Sequence, residues 1–75
     1  MEIKNTTNLY LGAAFLLRGA KLLKVDRADP AHVDFQFEGK DLGKIKVLFN
    51  TGMLQGDLKQ YSQHILTLKQ ELRDD

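Results

Sequence analysis

LYLGAAFLLRGAKLL, residues 9–23, carries only two charged side chains, Arg18 and Lys21, in a chain of which 28% of the residues are charged. Apolar residues recur at helical spacing along one face of this stretch, at Leu9, Ala13, Leu16, Leu17 and Ala20. The opposite face is apolar as well, because it holds Leu11 and Phe15. Since a helix that is apolar all round is buried on both sides, the stretch predicts a helix packed between two layers.

Capping residues mark the ends of this helix. Thr6 or Thr7 can accept a hydrogen bond from the free backbone N–H groups of the next turn, so the helix is expected to begin there. Gly19 suits the left-handed position that follows a last helical turn, so the helix is expected to close near Arg18. The predicted helix spans residues 6–19.

Length and composition limit the class of protein. Seventy-five residues make a single small domain, 1–75, and a core of that size usually supplies only about 3–5 kcal/mol of stability. The chain has no cysteine, which excludes disulfides, thiolate nucleophiles and zinc–thiolate sites. Its net charge of +1 gives no global field that would attract nucleic acid or a membrane. The apolar run is too short to span a bilayer and lacks the features of a secretory signal, so a cytoplasmic protein is expected.

A β-hairpin is predicted over residues 21–38. In its second strand three apolar residues alternate with polar ones, at Val33, Phe35 and Phe37. In its first strand Leu23 and Val25 share one face. A two-stranded hairpin is marginally stable alone, so we expect helices to cover its apolar face.

The register of this hairpin follows from the parity of its loop. Val25 lies on the same face as Phe35 only if the loop has an odd number of residues, which predicts a loop over 28–30 or 28–32. Either register places Lys24 on the solvent face, opposite a polar residue of the second strand.

A helix over residues 41–51 is predicted after the hairpin. Asp41 can cap it, and its apolar residues fall on one side, at Leu42, Ile45, Leu48 and Phe49. Ile45, Val47 and Phe49 also alternate, and Gly43 weakens a helix, so a third strand is the alternative for this segment.

The last predicted helix covers residues 57–73. Asp57 is a favourable N-cap, and an apolar stripe follows at alternating intervals of three and four residues, at Leu58, Tyr61, Ile65, Leu68 and Leu72. The complete prediction is an α+β fold: a helix, a two-stranded antiparallel β-hairpin, and two helices packed on one face of the hairpin. Its core is expected to contain Leu9, Leu16, Leu17, Val25, Phe35, Phe37, Phe49, Ile65 and Leu68.

No catalytic arrangement of residues is found in the sequence. GKDLGK, residues 39–44, has three residues between its glycines where a phosphate-binding loop has four, and no Ser or Thr follows its last lysine. His32 and Asp34 share a strand face, but a metal site needs further ligands, and His64 belongs to a separate helix. Ser62 lies two residues before His64, and helical neighbours at that spacing face apart. The sequence therefore predicts a chain that is not an enzyme, without a metal or another cofactor.

Four stretches occur in an order that resembles a known family: TTNLYLGAAFLLRGAKLLKVDR (6–27), VDFQFEG (33–39), LFNTG (48–52) and LTLKQEL (66–72). They resemble a family of short bacterial and bacteriophage proteins that is known only as a domain of unknown function. The resemblance implies a helix at 41–51 and a phage, prophage or mobile-element context. It implies no catalytic residue, cofactor or activity.

The apolar helix suggests a non-catalytic interaction module. Tyr10, Leu11, Phe15 and Leu22 are expected to form an exposed apolar patch, which a soluble monomer seldom leaves bare. A two-fold homodimer would cover the patch with its own copy, and a host or phage protein is the other partner expected. Pairing of exposed hairpin edges is a second route to a dimer. Alternatively, a later helix covers Phe15 within one chain.

Weak nucleic-acid binding is the alternative function. It would use four basic residues that follow one another closely, Arg18, Lys21, Lys24 and Arg27. Lys21 and Lys24 are expected on opposite strand faces, and no exposed aromatic platform lies among the four. Phosphate contacts from these residues would give weak, salt-sensitive binding.

Overall fold

The computed structural model describes residues 1–29 and 31–73. Its elements, in chain order, are β1 (Glu2–Thr6), α1 (Leu9–Leu17), β2 (Lys21–Asp26), β3 (Asp34–Gly39), α2 (Leu42–Asn50) and α3 (Leu58–Arg73). The strands form one antiparallel sheet in the order β1-β3-β2. The predicted α+β class is confirmed, but the prediction of a two-stranded hairpin is wrong, because the sheet has three strands.

Strand β1 is the element that the sequence patterns did not reveal. It pairs with β3, with Ile3 opposite Glu38 and Thr6 opposite Phe35. β3 is therefore the central strand, and the sheet edges belong to β1 and β2. The side chains of β1 are mostly polar and exposed, so no apolar alternation marks the strand. Its pairing with a distant segment makes it a strand.

This pairing also moves the start of α1. Asn8 is the N-cap, and its Oδ1 accepts hydrogen bonds from the backbone N–H groups of Tyr10 at 3.0 Å and Leu11 at 3.3 Å. Thr6 is the last residue of β1, so the predicted helix start at Thr6 or Thr7 is wrong. The predicted end is confirmed: Gly19 has φ +93°, and the N–H of Ala20 donates to the carbonyl oxygen of Phe15 at 3.0 Å.

The predicted register between β2 and β3 is right near the loop and wrong at the start of β2. Val25 lies opposite Phe35, as loop parity predicted, and both predicted loops include Pro30, which lies outside the described residues. The register shifts between Leu22 and Lys24, so that Leu22 takes the core position opposite Phe37. Leu23 is consequently 46% exposed, and the prediction that it shares the core face is wrong.

The segment after β3 is a helix, as predicted, and the alternative of a third strand there is wrong. Asp41 precedes it with φ 57° and makes no side-chain capping hydrogen bond, contrary to expectation. Instead, the carboxylate of Glu2 accepts a hydrogen bond from the backbone N–H of Gly43 at 3.3 Å. Asp57 does cap α3, since its carboxylate accepts from the N–H of Lys59 at 2.8 Å.

The core is built around α1, which contacts every other element of the fold. The ring of Phe15 meets that of Phe37 edge-on, with 5.4 Å between their centroids. Buried apolar residues are Leu11, Ala13, Ala14, Phe15, Ala20, Phe35, Phe37, Leu42, Ile45 and Leu68. Leu9, Leu16, Val25, Phe49 and Ile65 of the expected core are partly buried against this cluster. Gly12 lets the sheet and α3 approach α1, because a Cβ there would lie 2.9 Å from Phe37 Cζ and 3.1 Å from Leu68 Cδ1.

Candidate functional site

A cleft of about 370 Å³ opens between the end of α1, the end of α2 and the start of α3. None of the residues that line it is charged, although 28% of the chain is. They are Leu17, Phe49, Gly52, Leu54, Gln55, Gly56, Leu58 and Tyr61. The cleft is therefore an apolar concavity with two polar side chains.

Two glycines shape the wall that connects α2 to α3. Gly52 has φ +73°, and the N–H of the next residue, Met53, donates to the carbonyl oxygen of Leu48 at 2.9 Å. This arrangement ends α2 and turns the chain toward α3. A Cβ at Gly56 would lie 2.6 Å from Leu17 Cδ2, so any other residue here would require the side chain of Leu17 to shift.

Tyr61 joins α3 to α1 at the edge of the cleft. Its hydroxyl donates a hydrogen bond to the carbonyl oxygen of Tyr10 at 3.1 Å. Burial, and secondarily the charge on a neighbouring ionised Tyr10, raise the pKa of Tyr61 above 10.0. The phenol is therefore protonated at neutral pH and acts there as a hydrogen-bond donor, not as a base.

The rim of the cleft exposes two large apolar side chains. Leu58 is 79% exposed and Met53 is 68% exposed. The carboxylate of Asp57, beside Leu58, accepts hydrogen bonds from the first turn of α3. We call the cleft together with Leu58 and Met53 the apolar patch.

The apolar patch differs from the interface that the sequence predicted. Leu11 is 5% exposed and Phe15 is 1% exposed, so the expected exposure of these two residues is wrong. The physical reason is the central position of α1, whose second apolar face packs inside the chain. Tyr10 is 51% exposed, whereas Leu22 is half-buried opposite Phe37. Phe15 is covered within one chain, as the alternative prediction has it, and the ring that contacts it is that of Phe37 on β3; the part of the prediction that assigns this cover to a later helix stays a prediction.

The four basic residues of the nucleic-acid alternative do not lie on one continuous surface. The bulge at Leu23 places Lys21 opposite Glu38 and Lys24 opposite Gln36, so both lysines lie on one sheet face, and the expectation of opposite faces is wrong. Arg18 and Lys21 line one surface hollow together.

Arg27 is engaged elsewhere, at the C-terminal end of α3. Its Nη2 donates to the carboxylate of Glu71 at 2.8 Å, and its Nε and Nη2 donate to the backbone carbonyl oxygen of the same residue. This ion pair separates Arg27 from the other three basic residues of the predicted set.

The histidines and carboxylates do not converge within the described residues, where no group of three or more His, Cys, Asp or Glu side chains is placed to hold a metal ion. His32 is exposed between β2 and β3, and His64 is half-buried on α3. The carboxylate of Asp34 accepts a hydrogen bond from Asn5 Nδ2 at 3.0 Å. None of the described helices combines the length and apolarity needed to cross a membrane.

Comparisons of the chain with protein-family models, curated proteins and solved structures find no match in any of the three. From the sequence, Leu17 and Tyr61 are expected on core faces, and Gly52 and Gly56, in the segment that joins α2 to α3, are interpreted as turn residues and not as part of a site. That segment, MLQGDL (53–58), places apolar residues within a glycine-flanked turn, and this is the signal that marks the site.

Proposed function

We propose that this chain is a non-catalytic protein-interaction module that forms a homodimer through its apolar patch. The observation that supports the proposal is an uncharged cleft that has a 79% exposed leucine, Leu58, at its rim. In keeping with the resemblance to short bacterial and bacteriophage proteins, we propose that this module acts in the bacterial cytoplasm and is encoded by a bacterium or by a phage. The lack of cysteine suits that reducing compartment.

The chemistry of the cleft favours an apolar occupant. A charged or strongly polar ligand would lose its hydration there, and the only polar side chains that could replace it are the amide of Gln55 and the hydroxyl of Tyr61. That hydroxyl already donates a hydrogen bond to the carbonyl oxygen of Tyr10. An aliphatic side chain from a partner loses nothing of this kind, and its burial is favourable by roughly 1.5–3 kcal/mol.

The apolar patch contains both a concavity and the side chains that can fill one. A two-fold contact places the same surface on both partners, so the surface must be complementary to itself. In such a dimer Leu58 of each copy enters the cleft of the other, and Met53 covers its edge. This self-complementarity favours a second copy of the chain over an unrelated protein as the occupant.

Sedimentation equilibrium of the wild type and two matched variants tests the proposal. The wild type is expected to dimerise from its monomer mass of 8.5 kDa at about 100 micromolar protein. Leu58→Glu puts a charge at the centre of the interface and is expected to give a folded monomer. Leu66→Glu changes a residue on the same helix that is 59% exposed and lies outside the cleft, so it is expected to remain dimeric.

Two outcomes would contradict the homodimer. One is a wild type that remains a monomer at this concentration, and the other is a Leu66→Glu variant that dissociates as readily as Leu58→Glu. If the wild type is a monomer but retains a bacterial or phage protein that Leu58→Glu loses, the occupant of the cleft is that protein. The circular-dichroism spectrum of each variant establishes that it is folded.

A further inference from the structure

Four basic side chains meet where α1 ends and α2 begins. They line two adjoining surface hollows of about 280 and 180 Å³, which share Arg18 and Lys40. Lys21, at the start of β2, lines the larger hollow, and Lys44, in the first turn of α2, lines the smaller. We call Arg18, Lys21, Lys40 and Lys44 the basic cluster.

The basic cluster is not neutralised by its surroundings. All four side chains are exposed, and within residues 1–29 and 31–73 none of them forms an ion pair or a side-chain hydrogen bond. One carboxylate lines each hollow, Glu38 in the larger and Asp41 in the smaller. Glu2 lines a third hollow together with Lys40 and Asp41, so four cations face three carboxylates and leave a local excess of one positive charge, which equals the net charge of the whole chain. The positive field of the molecule is therefore concentrated at this end.

The arrangement suits a row of phosphates more than a single anion. The cations surround two neighbouring hollows instead of converging on one centre. The start of α2 already has an anionic side chain beside it, because the carboxylate of Glu2 accepts a hydrogen bond from the N–H of Gly43.

We propose that the basic cluster binds the phosphate backbone of a nucleic acid without reading its bases. No aromatic side chain is among the described residues that line the two hollows, so the site lacks a platform for base stacking. Contacts of lysine and arginine with phosphates position a protein on nucleic acid but carry no sequence information. The two hollows share no lining residue with the cleft of the apolar patch, although Arg18 and Leu48 of the smaller hollow are next in sequence to Leu17 and Phe49 of the cleft.

Binding to a fluorescent DNA duplex of arbitrary sequence, measured by anisotropy across a salt series, tests the proposal. Four phosphate contacts predict a slope of log K against log salt of about −3.6, or a loss of affinity of about 150-fold between 50 and 200 mM salt. The cluster variant, Lys21→Gln with Lys40→Gln and Lys44→Gln, retains Arg18 only. The slope of this variant is expected to become shallower, at about −0.9.

A matched control removes the same net charge from outside the cluster. Lys46→Gln with Lys59→Gln and Lys69→Gln changes three exposed lysines that line neither hollow, and it is expected to bind like the wild type. All six substitutions are at exposed positions, so both triple variants are expected to retain the thermal unfolding midpoint of the wild type.

Several results would overturn the proposal. They are no binding at about 50 mM salt and tens of micromolar protein, or an equal loss of affinity in both triple variants. Vesicles of anionic phospholipid that bind more tightly than the duplex would assign the cluster to a membrane surface instead. Complete displacement of the duplex by equimolar inorganic phosphate would assign it to a single small anion.

Discussion

Helices α1 and α3 both carry strong apolar patterns, and the fold uses them in different ways. In α1 every residue from Leu11 to Phe15 is buried, and the helix contacts all other elements. α3 is longer, but Leu68 is its one residue classed as buried within the described part of the helix, and its main contacts are with α1. α1 is the centre of the molecule, whereas α3 covers it from one side.

This difference changes where a partner surface should be sought. A helix that is apolar all round indicates a partner only if the chain has no further layers to cover it. Here the sheet and the other helices pack against α1, so Leu11 and Phe15 are not accessible to a second molecule. The one-sided helix α3 leaves its first apolar residue, Leu58, outside the core. The partner surface that we propose is therefore at the start of the amphipathic helix.

Truncation of a central side chain is expected to have the largest effect on the free energy of unfolding, and it tests the difference between α1 and α3. Phe15→Ala is expected to lower the free energy of unfolding by about 3–5 kcal/mol, because it removes a ring that is 1% exposed. Phe35→Ala is expected to have the same cost, since Phe35 is fully buried on β3. Leu66→Ala, on the exposed side of α3, should change the free energy of unfolding by less than about 0.5 kcal/mol. Urea unfolding followed by circular dichroism measures all three, and similar costs for Phe15→Ala and Leu66→Ala would contradict the central position of α1.

A smaller test adds one methyl group to α1. Gly12→Ala places a Cβ 2.9 Å from the ring of Phe37, and overpacking of this kind typically costs about 1–3 kcal/mol. Alanine recovers up to about 1 kcal/mol of helix propensity, so the net effect is a destabilisation of about 1 kcal/mol. The matched control is Gly43→Ala on α2, where the nearest atom to a new Cβ is 3.7 Å away. Gly43→Ala is expected to raise the free energy of unfolding. If Gly12→Ala raises it as well, the close packing of α1 is contradicted.

The sequence predicted those elements whose pattern is local. The end of α1 at Gly19, the parity of β2 and β3, and the capping of α3 by Asp57 each follow from residues close in the chain, and each is confirmed. β1 was missed because its polar residues become a strand only by pairing with β3. Its Glu2 also replaces the predicted cap of α2 from a distant part of the chain.

The candidate site was less predictable than the fold. A register shift at Leu23 cannot be read from alternation, yet it decides which lysines share a face. Likewise, the cleft depends on Gly56 lying against Leu17, a contact between segments far apart in sequence. Surface hollows arise from such long-range contacts, whereas helix caps and strand parity do not.

The ion pair between β2 and the end of α3 gives a smaller expected effect. Arg27 and Glu71 have side chains that are 38% and 37% exposed, so solvent screens their attraction. Glu71→Ala removes the carboxylate but leaves the carbonyl oxygen that also accepts from Arg27, and it is expected to cost about 0.2–1 kcal/mol. The cost, measured by urea unfolding, should decrease in 1 M salt. A cost above that range that salt does not reduce would show that Glu71 stabilises α3 in another way.

The smallest effect concerns the hydrogen bond that ties the start of α3 to α1. Tyr61→Phe removes the hydroxyl that donates to Tyr10, and because this bond is exposed we expect the low end of the usual range, about 0.5 kcal/mol at pH 8. The sign of its pH dependence follows from the pKa of Tyr61, which is higher in the folded chain than its ordinary value of 10.0. The neutral phenol is therefore favoured by folding, so its contribution is fully present below pH 10 and is lost as the pH rises through the folded-state pKa. Urea unfolding between pH 8 and pH 11 should show a steeper loss of stability for the wild type than for Tyr61→Phe. Equal slopes would show that this phenol titrates alike in the folded and unfolded chains, which would contradict the raised pKa of Tyr61.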